Sequence, residues 1–212
     1  MGFLMGGPYY DLIGRTGNNV GRRRKGKNVF SMRPSKSTKQ PTILQLNQRL
    51  KFGLVTRWLS NALNVIQIGY QAYQTTGSSM NSAVKQVLDD AITGVSPNFA
   101  LDYSRVQLSK GPLLGARNWV MSAIASAEVE LTWDANVGSG KHNVTDKLII
   151  FAFCPVVGEF LELIAPVTRG ALAYTLSVPA SMSTELLHVW ISFMNHEEDV
   201  VSRSEFRSIT LL

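Results

Sequence analysis

The sequence predicts an α+β chain in three parts: an extended basic N-terminal arm over residues 1–41, a short helical segment over 42–99 and an antiparallel β-sandwich over 100–212. Three observations carry this division. Cations crowd into the first quarter of the chain, where residues 1–51 hold eleven Lys or Arg against one acid, Asp11. Apolar residues then recur at helical spacing from Ile43 to Ala91. Beyond Leu101 the pattern becomes alternating, interrupted at short intervals by turn-forming stretches.

The arm is built around "GRTGNNVGRRRKGKNVFSMRP", residues 14–34. Arg22, Arg23, Arg24 and Lys25 are consecutive, Lys27 and Arg33 follow, and no acid interrupts them. Seven glycines fall within the first 26 positions, and Pro34 and Pro41 punctuate the end. Such a segment buries too little apolar surface to offset its ordering entropy alone. Gly14, Gly17 and Gly21 miss the spacing of the dinucleotide-binding fingerprint, and no apolar strand precedes them. Apolar side chains are interleaved with the charge, so an arm that orders along a partner is expected, with Val20, Val29 and Phe30 as anchors. Strand addition to a neighbouring copy is one such partnership. The remainder of the chain, with ten basic and fourteen acidic residues, offers acids for the arginines to pair with. The same cations could instead neutralise phosphates of DNA or RNA without reading their sequence.

After Pro41, residues 42–99 open with "TILQ", in which Thr42 and Gln45 have the spacing of a capping box. Ile43, Leu46, Leu50 and Leu54, with Leu44, Val55 and Leu59, predict one apolar face. After a break near Ser60-Asn61, Leu63–Ile68 continues, and Gly77-Ser78-Ser79 starts a helix with Ala83, Val84, Val87, Leu88 and Ala91 inward. Gly94 and Pro97 end it. So few short helices must pack on something else, either the C-terminal part or another subunit.

In the last part "LDYSRVQLS" alternates over 101–108. Further strands are predicted at 118–124, 128–133, 147–153, 159–164, 171–178, 187–193 and 205–211. These short strands fit an immunoglobulin- or fibronectin III-like sandwich, with Trp133 and Trp190 as anchors between two sheets. The single cysteine, Cys154, excludes an intrachain disulfide and lies in the apolar run "IIFAFCPVV", as a buried inert thiol would.

No catalytic constellation emerges, and neither a catalytic residue, a metal site nor a cofactor is expected. "GSGKHN" (138–143) lacks the glycine spacing and the Ser or Thr of a phosphate-binding loop. His142, His188 and His196 show no metal-ligand spacing, and "NHEED" reads as a solvated turn. No Gly-x-Ser-x-Gly elbow occurs, and adjacent Asp89 and Asp90 diverge on a helix rather than face each other. Asn143-Val144-Thr145 matters as a sequon only in an exported chain. No run approaches the ~20 apolar residues of a membrane span. The first residues carry no basic-then-apolar secretory pattern, and residue 6 is Gly where myristoylation needs Ser or Thr. A chain kept in the cytoplasm at synthesis, or carried in a virion, is expected.

The stretches "GRTGNNVGRRRKGKNVFSMRP", "PTILQLNQRLKFGLVTRWL", "NSAVKQVLDDAITG", "LDYSRVQLSKGPL", "LTWDAN" and "VTDKLIIFAF" together resemble a family of uncharacterised proteins common in Bacteroidetes, a domain of unknown function. The resemblance spans Gly14 to Thr210 and implies the same arm, helices and sandwich, an intracellular or phage-linked bacterial origin, and no assigned reaction. The family's usual tryptophan before the Lys-Gly pair is Arg24 here, which makes this arm more cationic.

The function expected from the sequence is a non-enzymatic structural protein that self-assembles into a filament or capsid-like shell. Its own subunits are the partners, reached through Arg22, Arg23, Arg24, Lys25, Lys27 and Arg33. The alternative is sequence-indifferent binding of DNA or RNA by the same arm.

Overall fold

Hydrogen-bonded strands begin within the first few residues, well before the sequence predicts any. The computed structural model describes residues 2–7, 9–24, 26–36, 38–73, 77–135 and 140–211. The chain divides into two compact units, residues 1–42 and 43–212. Lys25, and Gly138 and Ser139 of "GSGKHN", lie outside the described residues.

In the first unit β1 (Gly2–Leu4), β2 (Gly14–Thr16), β3 (Asn19–Arg24) and β4 (Lys27–Met32) make an antiparallel sheet in the order β1-β4-β3-β2. This corrects the expectation of an extended arm that gains order only on a neighbour. Gly17 and Gly26 lie in the turns of successive hairpins, whereas Gly14 and Gly21 lie within β2 and β3. Thr16 pairs with Asn19 and Arg24 with Lys27, which leaves two-residue connections. Gly17 (φ 58°) and Gly26 (φ 73°) supply the left-handed backbone these connections require.

The second unit starts with α1 (Ile43–Leu59), α2 (Leu63–Gly69) and α3 (Ser79–Asp90). Ser78 caps α3, accepting from the Asn81 amide at 3.1 Å. A hairpin of β5 (Ile92–Val95) and β6 (Asn98–Leu101) follows, starting inside the 42–99 stretch expected to be helical and ending beyond it. The alternation over 101–108 does not make the strand it predicts. Asp102 accepts from the Ser104 amide at 3.1 Å and starts a 3-10 turn, Tyr103–Arg105, after which the backbone runs on outside any strand.

Strands β7 (Arg117–Ala125), β8 (Glu128–Asp134), β9 (Lys147–Cys154), β10 (Glu159–Thr168), β11 (Ala173–Ser177), β12 (Leu186–Met194) and β13 (Glu205–Thr210) match the seven strands expected after residue 117. They form two antiparallel sheets, β10-β9-β12-β13 and β11-β8-β7. Leu148, Ile150, Ala152 and Cys154 of β9 and Leu187, Val189, Ile191 and Phe193 of β12 face the second sheet, meeting Trp119, Val129, Leu131 and Trp133. Cys154 is thus buried between the sheets.

The opposite face of the four-stranded sheet is buried too, because the helices lie on it. Ile149, Phe151, Phe153 and Trp190 pack with Val55, Trp58, Leu59, Ile66, Val84 and Val87. The helices therefore find their support in the C-terminal part. Trp190, expected between the two sheets, instead points at the helices and donates to the Val106 carbonyl at 3.0 Å. Strand parity decides this, since Trp190 lies opposite Phe151, while its neighbours Val189 and Ile191 face inward. On α1 only Val55, Trp58 and Leu59 are buried; Ile43, Leu44, Leu46 and Leu50 of the expected inward face are exposed.

Candidate functional site

The register of the N-terminal sheet sorts its side chains into two faces, since residues directly opposite each other in an antiparallel pair share a face. Arg15 lies opposite Val20, Arg22 opposite Val29, Arg24 opposite Lys27, and Phe3 opposite Val29. One face therefore carries Arg15, Arg22, Arg24 and Lys27 around Phe3, Val20 and Val29. Gly21 pairs with Phe30, and Arg23 with Asn28, on the other face.

The two faces differ in what covers them. Segment Tyr9–Leu12 crosses the second face: the Tyr9 ring lies 6.2 Å from that of Phe30, and the Asn28 amide donates to the Tyr10 carbonyl. A Cβ on Gly21 would collide with the Leu12 carbonyl, so the approach of this segment depends on that glycine. Asp11 belongs to the same segment and meets Arg23 at 3.7 Å, both side chains well exposed.

Cations on the first face keep their charge for solvent or a ligand. Arg22 reaches the Ser31 hydroxyl at 3.5 Å and Arg15 donates to the Gly17 carbonyl at 3.3 Å, both neutral partners. Lys27 stands over the Phe3 ring at 5.7 Å. Among the described residues, no carboxylate pairs with Arg15, Arg22, Arg24 or Lys27. What this face offers chemically is positive charge and hydrogen-bond donors.

Of the residues singled out in the sequence, Arg22, Arg24 and Lys27 come together, and Val20 and Val29 join them. Arg23 and Phe30 fall on the opposite face, and exposed Arg33 follows β4, its amide bonded to the Asn18 carbonyl at 2.7 Å. Arg15 was missed as a site residue. Placing it needs the pairing of β2 with β3, which the Gly17-Asn18 connection between two short runs signals. Among the described residues no three of His, Cys, Asp or Glu gather as metal ligands, and no helix is long and apolar enough to cross a membrane.

Strand order and register define the C-terminal part as a fibronectin III-like sandwich without a disulfide, carrying a helical layer on its four-stranded sheet and preceded by a separate basic sheet. Residues 11–207 match DUF6266, a family of unknown function, and the chain belongs to that family. No curated protein matches it. Among solved structures it is similar to the fibronectin III domain of human collagen XX, at 17% identity and a TM-score of 0.36 over 48% of this chain and 99% of that one. It is also similar to the domain of human fibronectin type III domain containing protein 3, at 18% identity and a TM-score of 0.35 over 49% of this chain and 88% of that one.

Proposed function

We propose that this protein is a non-enzymatic binder of nucleic acid, which it holds through the phosphate backbone on the Arg15, Arg22, Arg24 and Lys27 face of its N-terminal sheet. The observation that carries the reading is the sorting of charge. Four cations share a face on which no acid is placed, while the one acid of this unit pairs with Arg23 on the other face. Cations on alternate residues of a strand repeat every ~7 Å, so they contact a flexible backbone at successive points without entering a groove. Binding of this kind is indifferent to sequence and releases counterions.

Titration of the full chain against a short mixed-sequence oligonucleotide at several salt concentrations tests it. Four phosphate contacts give a slope of log K against log salt of about −3. Absent or salt-insensitive binding overturns the reading.

A second reading, self-assembly into a filament or shell, rests on a different observation. Phe3, Ile13 and Met32 of the N-terminal unit, and Ile43, Leu46 and Leu50 on α1, are large apolar side chains left exposed. Sedimentation of the full chain and of a chain lacking residues 1–41 separates the contributions. A full chain that stays monomeric rejects assembly, and a truncated chain that assembles equally well rejects the N-terminal unit as its interface.

A further inference from the structure

Charge is divided inside the second unit as well. Residues 43–88, which hold the helices, carry Arg49, Lys51, Arg57 and Lys85 and no acid, whereas residues 89–212 carry eight basic and fourteen acidic residues. The cationic part also bears an apolar stripe. Ile43, Leu46 and Leu50 recur at i, i+3 and i+7 on α1 and are 44–73% exposed. Arg57 continues the stripe seven residues beyond Leu50, and Arg49 flanks it three residues beyond Leu46; both are exposed. Lys51 is turned toward the β5–β6 hairpin instead, its ammonium 4.8 Å from the Phe99 ring centre.

The outer face of the three-stranded sheet has the opposite sign. Val129, Leu131 and Trp133 of β8 point into the sandwich, so Glu128, Glu130, Thr132 and Asp134 point out. Beside them stand Thr175 and Ser177 of β11 and Val120 and Ser122 of β7. Three carboxylates thus share this face with one cation, Arg117, which lies opposite Asp134. Val120 is 55% exposed, and Ile124, at the bulge farther along β7, is 49% exposed. Among the described residues no cation pairs with Glu128 or Glu130, and no carboxylate with Arg49 or Arg57.

The two surfaces match in length as well as sign. From Ile43 to Arg57 the helix rises about 21 Å, and from Glu128 to Asp134 the strand rises about 20 Å. Pairing α1 with α1 of another copy would set Arg49 and Arg57 against like charges, whereas the sheet face is their complement.

We propose that α1 of one copy docks on the outer face of the three-stranded sheet of another, with Ile43, Leu46 and Leu50 on Val120 and Ile124, and Arg49 and Arg57 paired with Glu128 and Glu130. This inference rests on the self-assembly reading above and names its two surfaces. Because they differ, each copy in a pair keeps one surface free, and the contact extends to a third copy rather than closing at two.

Sedimentation velocity of the nuclease-treated full chain tests it with two charge-reversed variants, Arg49→Glu with Arg57→Glu, and Glu128→Lys with Glu130→Lys. Circular dichroism checks that each is folded. Wild type should form species larger than a dimer. Either variant alone should associate at least about tenfold more weakly, since its helix and sheet then carry like charges. An equal mixture of the two variants should assemble again, because every altered surface meets its complement. A monomeric wild type overturns the self-assembly reading and this contact with it. Assembly that either variant leaves intact, or that the mixture fails to restore, overturns the contact alone. Flotation of the full chain with phosphatidylserine vesicles, abolished by the helix variant while assembly persists, would assign α1 to a lipid surface instead and overturn the proposal.

Discussion

The guanidinium of Arg169 and the carboxylate of Asp146 meet at 3.0 Å with both side chains almost wholly buried. Arg169 also donates to the Gly115 carbonyl at 2.9 Å and the Leu114 carbonyl at 2.7 Å, and lies 3.8 Å above the Phe193 ring. Asp146 accepts in addition from the Asn143 amide at 2.9 Å. All three guanidinium nitrogens of Arg169 thus have an acceptor and Asp146 Oδ2 has two donors, which helps two charges stay inside a sandwich. Asp146→Asn or Arg169→Met should each destabilise by about 3–5 kcal/mol, because the surviving charge is left buried. Denaturant unfolding of the single variants and of the double variant checks this, and the double should cost less than the two singles together.

Two helical glycines should respond oppositely to alanine. A Cβ on Gly69, at the end of α2, would collide with the Leu108 carbonyl, whereas one on Gly53 in α1 meets nothing within 4 Å. Gly69→Ala should destabilise by about 1–3 kcal/mol through overpacking, and Gly53→Ala should stabilise by about 0.5–1 kcal/mol through helix propensity. Thermal melting of the pair is the measurement.

Stability should fall in mild acid, and His188 supplies the reason. Its ring sits among Tyr103 at 5.0 Å, Phe206 at 5.3 Å and Trp190 at 6.2 Å, and burial holds its pKa below the usual 6.5. The unfolded chain therefore takes up this proton more readily than the folded one. The stability contributed by neutral His188 is complete above about pH 6.5 and is lost as pH falls toward the lowered folded value. Chemical denaturation of wild type and His188→Phe across that range should show the loss in wild type and a smaller one in the variant.

Why some of this was legible in the sequence follows from particular residues. Strands β7 to β13 were readable because their alternation and apolar runs are local signals. The run "KLIIFAF" is apolar on both parities and belongs to a strand buried on both faces, which is the local signal of the helical layer. Trp190 could not be assigned a side without knowing which parity faces inward. The N-terminal sheet was not legible because glycine-rich sequence suits both an extended arm that orders on a partner and tight hairpins; the pairing of Arg24 with Lys27 and Thr16 with Asn19 resolves it. The Arg169–Asp146 pair joins residues 23 apart in the chain, and no spacing rule marks such contacts.

Arg22, Arg23 and Arg24 are adjacent in sequence and alternate between faces, so they offer the most direct test of nucleic-acid binding by one face of the sheet. Each is changed singly to Gln, and the salt dependence of oligonucleotide binding is measured for the full chain. All three variants lose the same charge. The face assignment predicts that Arg22→Gln and Arg24→Gln each flatten the slope of log K against log salt by about 0.7–0.9, while Arg23→Gln leaves it nearly unchanged. Equal flattening by all three would contradict it.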